Sequence, residues 1–223
     1  MTAVRFAPVL AAAQSRHGAG LEARLPRPRS ARELRALGDD RHLSQMSLRI
    51  FRAGLKHSLV DAKWPAFEEV FEGFEPRRVR AMPDEALEAL LGDKRLIRHW
   101  GKLKSVRANA AAMLGIAEEH GSFGAWLAQW PPTDIVGLWE ALAKRFSQMG
   151  GNSGPTFLRM VGKDTFILTP SVTAALKHWG AVAAPPKNRA DRAAVQDHFN
   201  AWAAETRRPL CQLSLILAAS TDE

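Results

Sequence analysis

Apolar residues recur along almost the whole chain at intervals of three and four, the spacing that lines up one face of an α-helix. Ile135, Leu138, Trp139 and Leu142 fall at i, i+3, i+4 and i+7, and Val195, His198, Phe199 and Trp202 repeat the arrangement. Val106, Ala110, Met113, Leu114 and Ala117 make a longer stripe. Sustained apolar/polar alternation, the mark of a half-buried strand, is hard to find. Thr165, Phe166, Ile167 and Leu168 read as a possible extended piece, but so short a run does not decide between strand and connector. The pattern predicts an all-α protein.

Cap chemistry places the breaks. Pro83 followed by Asp84 and Glu85 opens one helix, and Thr169 before Pro170 sets a hydroxyl cap ahead of a proline at the first helical position. Gly180 is read as a C-terminal stop. Two proline-stiffened linkers are expected, at 25–29 with the next helix beginning near Ser30, and at 183–187. With 223 residues the chain is expected to be a single unit. It divides into an N-terminal helix and linker (1–29), a core (30–182) and C-terminal helices (183–223).

Composition then narrows the partners. A net charge of +8 attracts polyanions, which puts nucleic acid ahead of an anionic membrane. A single cysteine, Cys211, excludes an internal disulfide and a thiolate zinc site, and no run approaches the roughly 20 apolar residues of a membrane span. The opening residues look faintly like a signal peptide. Pro8 interrupts their apolar run, so a helix running on to Arg16 and His17 is expected instead. The seven histidines show no metal-ligand spacing, and the acid pairs Asp39-Asp40 and Glu68-Glu69 read as solvated helix starts or faces.

Two stretches carry candidate chemistry. The first holds Ala53-Gly54-Leu55, then Lys63, then Phe71-Glu72-Gly73-Phe74-Glu75-Pro76, then Ile97-Arg98-His99-Trp100-Gly101-Lys102-Leu103 and Asn109-Ala110. As a set it resembles the 3-methyladenine DNA glycosylase I family, which shows an Ala-Gly-Leu-Ser-Trp start, a Phe-Asp-Pro turn and an Ile-Ile-Arg-His-x-Gly-Lys-Ile run at nearly this spacing. The second, 144–168, resembles the helix-hairpin-helix element of the wider glycosylase superfamily. It has a basic helix ending in Lys144 and Arg145, a turn through Gly150, Gly151, Asn152, Ser153 and Gly154, and a second helix from Pro155 to Val161. Glycines let a backbone approach closely, and the amides opening a helix face an anion. A nucleotide P-loop is excluded, because no strand precedes the turn and no Lys-Ser/Thr follows it.

The resemblance implies two helical lobes around a cleft and a base-excision repair enzyme. Such an enzyme flips a damaged base, an alkylated purine, out of double-stranded DNA and hydrolyses its N-glycosidic bond with water. It implies a base pocket near Phe51, Lys56, His57, Trp64, His99 and Trp100, and a DNA-binding surface at Lys144, Arg145 and the hairpin. His99 is expected to be mainly conformational, its ring held against Trp100 or a backbone carbonyl. Arg98 and Lys102, four apart, are expected on one helical face, commonly a solvated one.

This chain departs from the family at stated positions. The purine-sensing glutamate falls on Arg49, the tryptophan after Ala-Gly-Leu-Ser on His57, and the superfamily's catalytic aspartate on Thr169, so no catalytic residue is assigned. The zinc clamp has no counterpart, and no lysine sits in the hairpin to form a Schiff base. The expectation is a monofunctional, cofactor-free and metal-free glycosylase, a cytoplasmic monomer on the bacterial nucleoid and not on a membrane. The alternatives are a non-catalytic helix-hairpin-helix module for distorted DNA, and an all-helical protein-interaction domain.

Overall fold

Ser30 shows how this sequence starts a helix. Its hydroxyl accepts from the Glu33 amide (3.3 Å) while the Glu33 carboxylate takes the Ser30 amide (2.7 Å), a reciprocal cap that satisfies two otherwise orphaned donors. Similar chemistry recurs at Ser122, Thr169 and Asn188, each of which accepts from the amide three residues on. The structure, a computed structural model, describes residues 4–221, and among them every regular element is helical. Besides short 3-10 turns at Glu72–Phe74 and Pro132–Asp134 these are, in chain order, the α-helices α1 (Ala7–His17), α2 (Gly20–Ala23), α3 (Ala31–Ala36), α4 (Asp39–Arg52), α5 (His57–Val70), α6 (Pro76–Ala81) and α7 (Asp84–Ala89). Then follow α8 (Trp100–His120), α9 (Phe123–Gln129), α10 (Ile135–Arg145), α11 (Ser153–Val161), α12 (Pro170–His178), α13 (Arg189–Thr206) and α14 (Leu210–Ala219).

Residues 165–168, ambiguous in the sequence, form a connector without a sheet partner. Two of their polar groups are served by side chains and neighbours: Ile167 donates its amide to Ser214 Oγ on α14 (3.2 Å), and the Thr165 hydroxyl donates to the adjacent Phe166 carbonyl (2.8 Å).

The chain divides into two units, one of residues 1–28, 131–138 and 164–223, the other of 29–130 and 139–163. In the first, α14 packs against α1, α12 and α13, and Phe166 stacks on Phe199 with ring centroids 4.2 Å apart. Asp164 begins α14 by accepting from the amides of Leu210 (2.9 Å) and Cys211 (2.8 Å).

The second unit is organised on α4, whose buried stripe Leu43, Met46, Ser47 and Ile50 follows the helical period. α4 packs against α5, α8, α9 and α11. At one end lies an aromatic cluster: Phe51 against Phe67 (4.5 Å), Trp64 stacked on Phe67 (5.0 Å) and Phe74 (5.4 Å), and Phe71 on Phe74 (5.3 Å). Burying each phenylalanine here contributes roughly 1.5–3 kcal/mol. Glu68, expected to be solvated, instead accepts from Arg41 (3.1 and 2.9 Å) and Ser44 (2.6 Å), and Ser44 in turn accepts from Trp64 Nε1 (3.2 Å). Asp39 is likewise half-committed, taking the Phe123 amide at 3.0 Å.

Candidate nucleic-acid interface

Helix α8 fixes two distant stretches of the second unit to one frame. Near its start Lys102, 8% exposed, donates its Nζ to the carbonyls of Phe51 (3.2 Å) and Ala53 (2.6 Å), capping the end of α4 just before Gly54. Two turns on, the fully buried Asn109 accepts from the Ser147 amide (2.7 Å) and donates to the Ser147 carbonyl (3.2 Å). Gln148 Nε2 adds a bond to the Gly101 carbonyl (2.9 Å). The chain entering the glycine turn is therefore clamped, and the turn itself is left to solvent.

That turn has the geometry its composition suggests. Gly150, Gly151 and Asn152 are exposed, Gly151 has φ +57°, and a Cβ added at Gly150 or Gly151 would meet nothing within 4 Å. The following helix starts at Ser153, two residues before the expected Pro155. Proline fits this first turn because amides there lack an intrahelical acceptor anyway. Gly154 is buried, and a Cβ there would lie 3.1 Å from the Met149 carbonyl, so its smallness serves packing. Lys144 is exposed, whereas Arg145, also exposed, contacts Glu119 at 3.3 Å.

The expected pocket residues separate into two groups. Phe51 is fully buried, and Trp64 is half-buried within the stacked cluster. By contrast, Lys56 and His57 lie in a wholly exposed run, 54–59, which also carries Leu55 (38% exposed) and Leu59 (50%). His99 is exposed and caps α8, its Nδ1 accepting from the Lys102 amide (3.3 Å); the ring is held by an amide donor and not by a carbonyl. Trp100 is half-buried, with Lys104 Nζ 5.6 Å from its ring centroid. Arg98 precedes the helix and is exposed, so Arg98 and Lys102 do not share a helical face; His99, in extended backbone, caps the start of the helix between them.

Arg49 is half-buried on α4, and its Nε is buried without a hydrogen-bond partner. Burial, and then the neighbouring Arg52, lower its pKa; burial, and then Arg49, lower that of Lys102. Thr169 serves as the cap of α12, its hydroxyl accepting from Val172 at 3.1 Å. The nearby acid Asp164 is held on the α14 amides. Among the described residues no three histidine, cysteine, aspartate or glutamate side chains gather as a metal site. A groove of about 720 Å³ in the first unit, lined by Arg16, His17, Leu21, Arg24 and Leu215, contains none of the expected pocket residues.

The methyladenine glycosylase family model matches residues 34–149, just over half of the chain. This chain belongs to the methyladenine glycosylase family. The family segment contains α4, the run 54–59, α8 and Asn109, and ends on Met149 at the threshold of the glycine turn. Among curated proteins, this family member is 38% identical over 63 residues to DNA-3-methyladenine glycosylase 1 of Escherichia coli (strain K12), a match spanning 28% of this chain and about a third (34%) of that protein. Among solved structures it is similar to 3-methyladenine DNA glycosylase I from Staphylococcus aureus, with a TM-score of 0.50 and 22% identity over 56% of this chain and 77% of that one. A second structure of 3-methyladenine DNA glycosylase I gives 0.50 and 23% over 71% and 90%. One solved with 3-methyladenine gives 0.52 and 22% over 59% and 81%. These likenesses establish a shared all-α glycosylase fold for this family member.

Proposed function

We propose that this protein is a monofunctional DNA base-excision glycosylase, which takes a damaged base out of duplex DNA and hydrolyses its N-glycosidic bond. The observation that carries the reading is the register set by α8. Within one unit, one helix anchors both the exposed run 54–59, inside the family segment, and the exposed glycine turn 150–152.

The division of labour follows from physical chemistry. A phosphate meets the amides at the start of α11, where the helix dipole favours an anion and the glycines leave room for the backbone. Lys144 adds a salt-sensitive attraction to the strand. The flipped base is received beside 54–57, with His57 and Trp100 offering ring faces. Water is the nucleophile, and the developing sugar cation is stabilised by the surrounding phosphates and fixed dipoles. Thr169 carries no carboxylate and the Asp164 carboxylate is engaged as a helix cap, so no carboxylate step is assigned there. The protein acts as a monomer on DNA in the cytoplasm, without a metal or cofactor.

The test is incubation with methylated duplex DNA followed by chromatography of released bases. Release above buffer is expected. Tight binding to abasic duplex with no base released from any lesion would replace the enzyme with a damage-recognition module, and failure to bind would remove both readings.

A further inference from the structure

The groove of about 720 Å³ in the first unit lies wholly outside the family segment, and the glycosylase reading gives it no task. It is lined by the end of α1, by α2 and by the last turns of α14, and the lining divides by chemistry. Arg16, His17 and Arg24 are exposed, whereas Leu21, 1% exposed, and the half-buried Leu215 and Ala218 make an apolar wall. No carboxylate lines it among the described residues. Its size falls within the roughly 300–1,000 Å³ of small-molecule sites.

Arg24 is held in place there without being neutralised. Its Nε donates to the Gly20 carbonyl (3.0 Å) and one terminal nitrogen lies 3.4 Å from His17 Nδ1, which leaves donors over from the five of a guanidinium. The one acid of α2, Glu22, is bound instead by Arg208 at 2.7 and 3.2 Å. The Thr221 hydroxyl, also on the lining, is buried without a hydrogen-bond partner among the described residues. We infer that this groove is a binding site for a small amphipathic carboxylate, its head on Arg24 beside His17 and its alkyl chain on Leu21, Leu215 and Ala218. A fixed guanidinium receives a carboxylate in two parallel bonds, and each methylene laid on the apolar wall leaves water. A nucleic-acid backbone brings the charge but no apolar chain to cover that wall, so the small ligand is the better match.

Isothermal titration calorimetry on the full chain tests this with three probes. Octanoate carries head and chain, acetate the head alone, and octanamide the chain without its charge. Octanoate should saturate one site, with acetate and octanamide each weaker by about tenfold or more. Arg24→Gln, at an exposed side chain, should keep the wild-type Tm and base release yet lose about tenfold or more of octanoate affinity. Ala218→Trp, which fills the groove, should lose octanoate binding as well. Octanoate should also raise the Tm of wild type more than that of Arg24→Gln. The inference is overturned by the absence of saturable octanoate binding, by octanamide binding as tightly as octanoate, or by undiminished octanoate binding in Arg24→Gln, which places the ligand elsewhere. Undamaged duplex that displaces octanoate and itself depends on Arg24 would assign these cations to DNA and overturn it too. None of these outcomes depends on whether any base is released, so the site and the glycosylase reading stand or fall separately.

Discussion

Replacing Asn109 with alanine tests the claim that α8 organises the glycine turn. The substitution removes both arms of the clamp, the 2.7 Å bond from the Ser147 amide and the 3.2 Å bond to its carbonyl, and leaves a small void at a position with no solvent exposure. Each net hydrogen bond is worth about 0.5–1.5 kcal/mol, and an unsatisfied buried group costs up to about 3 kcal/mol. Ser147 itself is exposed, so water can rescue part of its backbone. A total near 2 kcal/mol is expected, which for a chain of this size is a fall in Tm of roughly 4–8 °C. Differential scanning calorimetry reads that fall, and fluorescence anisotropy on an abasic duplex should show weaker binding than the loss of stability alone produces at temperatures where the fold is intact. A variant that melts within about 1 °C of wild type and binds DNA equally well would refute the clamp.

Other consequences are as direct. Gly150→Asp should leave Tm unchanged, since a Cβ there meets open space, yet reduce DNA affinity about tenfold or more by setting a carboxylate against phosphate; Gly151→Asp should do the same and also lose roughly 1–2 kcal/mol to backbone strain at φ +57°. Burial lowers the His42 pKa to about 4, so between that value and 6.5 the unfolded chain binds a proton that the folded chain refuses. Stability should therefore be complete above pH 6.5 and decline as pH falls towards 4, by up to about 3 kcal/mol, with the raised pKa of Asp39 acting in the opposite sense at the acid end; urea melts of wild type and His42→Gln measure it, and a flat wild-type profile from pH 7 to 5 contradicts it. Lys102→Met leaves the Phe51 and Ala53 carbonyls without their donor and should cost about 1–3 kcal/mol, offset in part by relief of a buried charge, while hydrogen exchange over 54–59 accelerates.

Periodicity and caps made the helices legible, because both are local. Thr169, Pro83 and the region of Ser30 start helices where their chemistry requires, and the Ile135 and Val195 stripes face their cores. The exposed glycine turn was readable for the same reason. What could not be read is set by tertiary packing. Lys102 looks like a solvated lysine until α4 ends against it, and Asn109 looks like part of a motif until Ser147 arrives from 38 residues away. A run written as Arg-His-Trp-Gly-Lys suggests one helix, but His99 turns its ring back onto the Lys102 amide and starts the helix after Arg98. Aromatics posed the same ambiguity: Phe51 and Trp64 sit in the stacked cluster while His57 stands exposed, and spacing alone does not separate these fates. The signal that could have found the clamp is an isolated amide side chain in a helix interior, since a buried asparagine needs partners and so marks a contact with another segment.

Amide hydrogen exchange of the full protein, with and without abasic duplex, tests most directly where DNA is met. The account predicts slowed exchange at residues 150–153 and across 54–57, with the Arg16–Arg24 groove of α1 and α2 unaffected. Protection confined to that groove, with the glycine turn exchanging as fast as in the free protein, would contradict it.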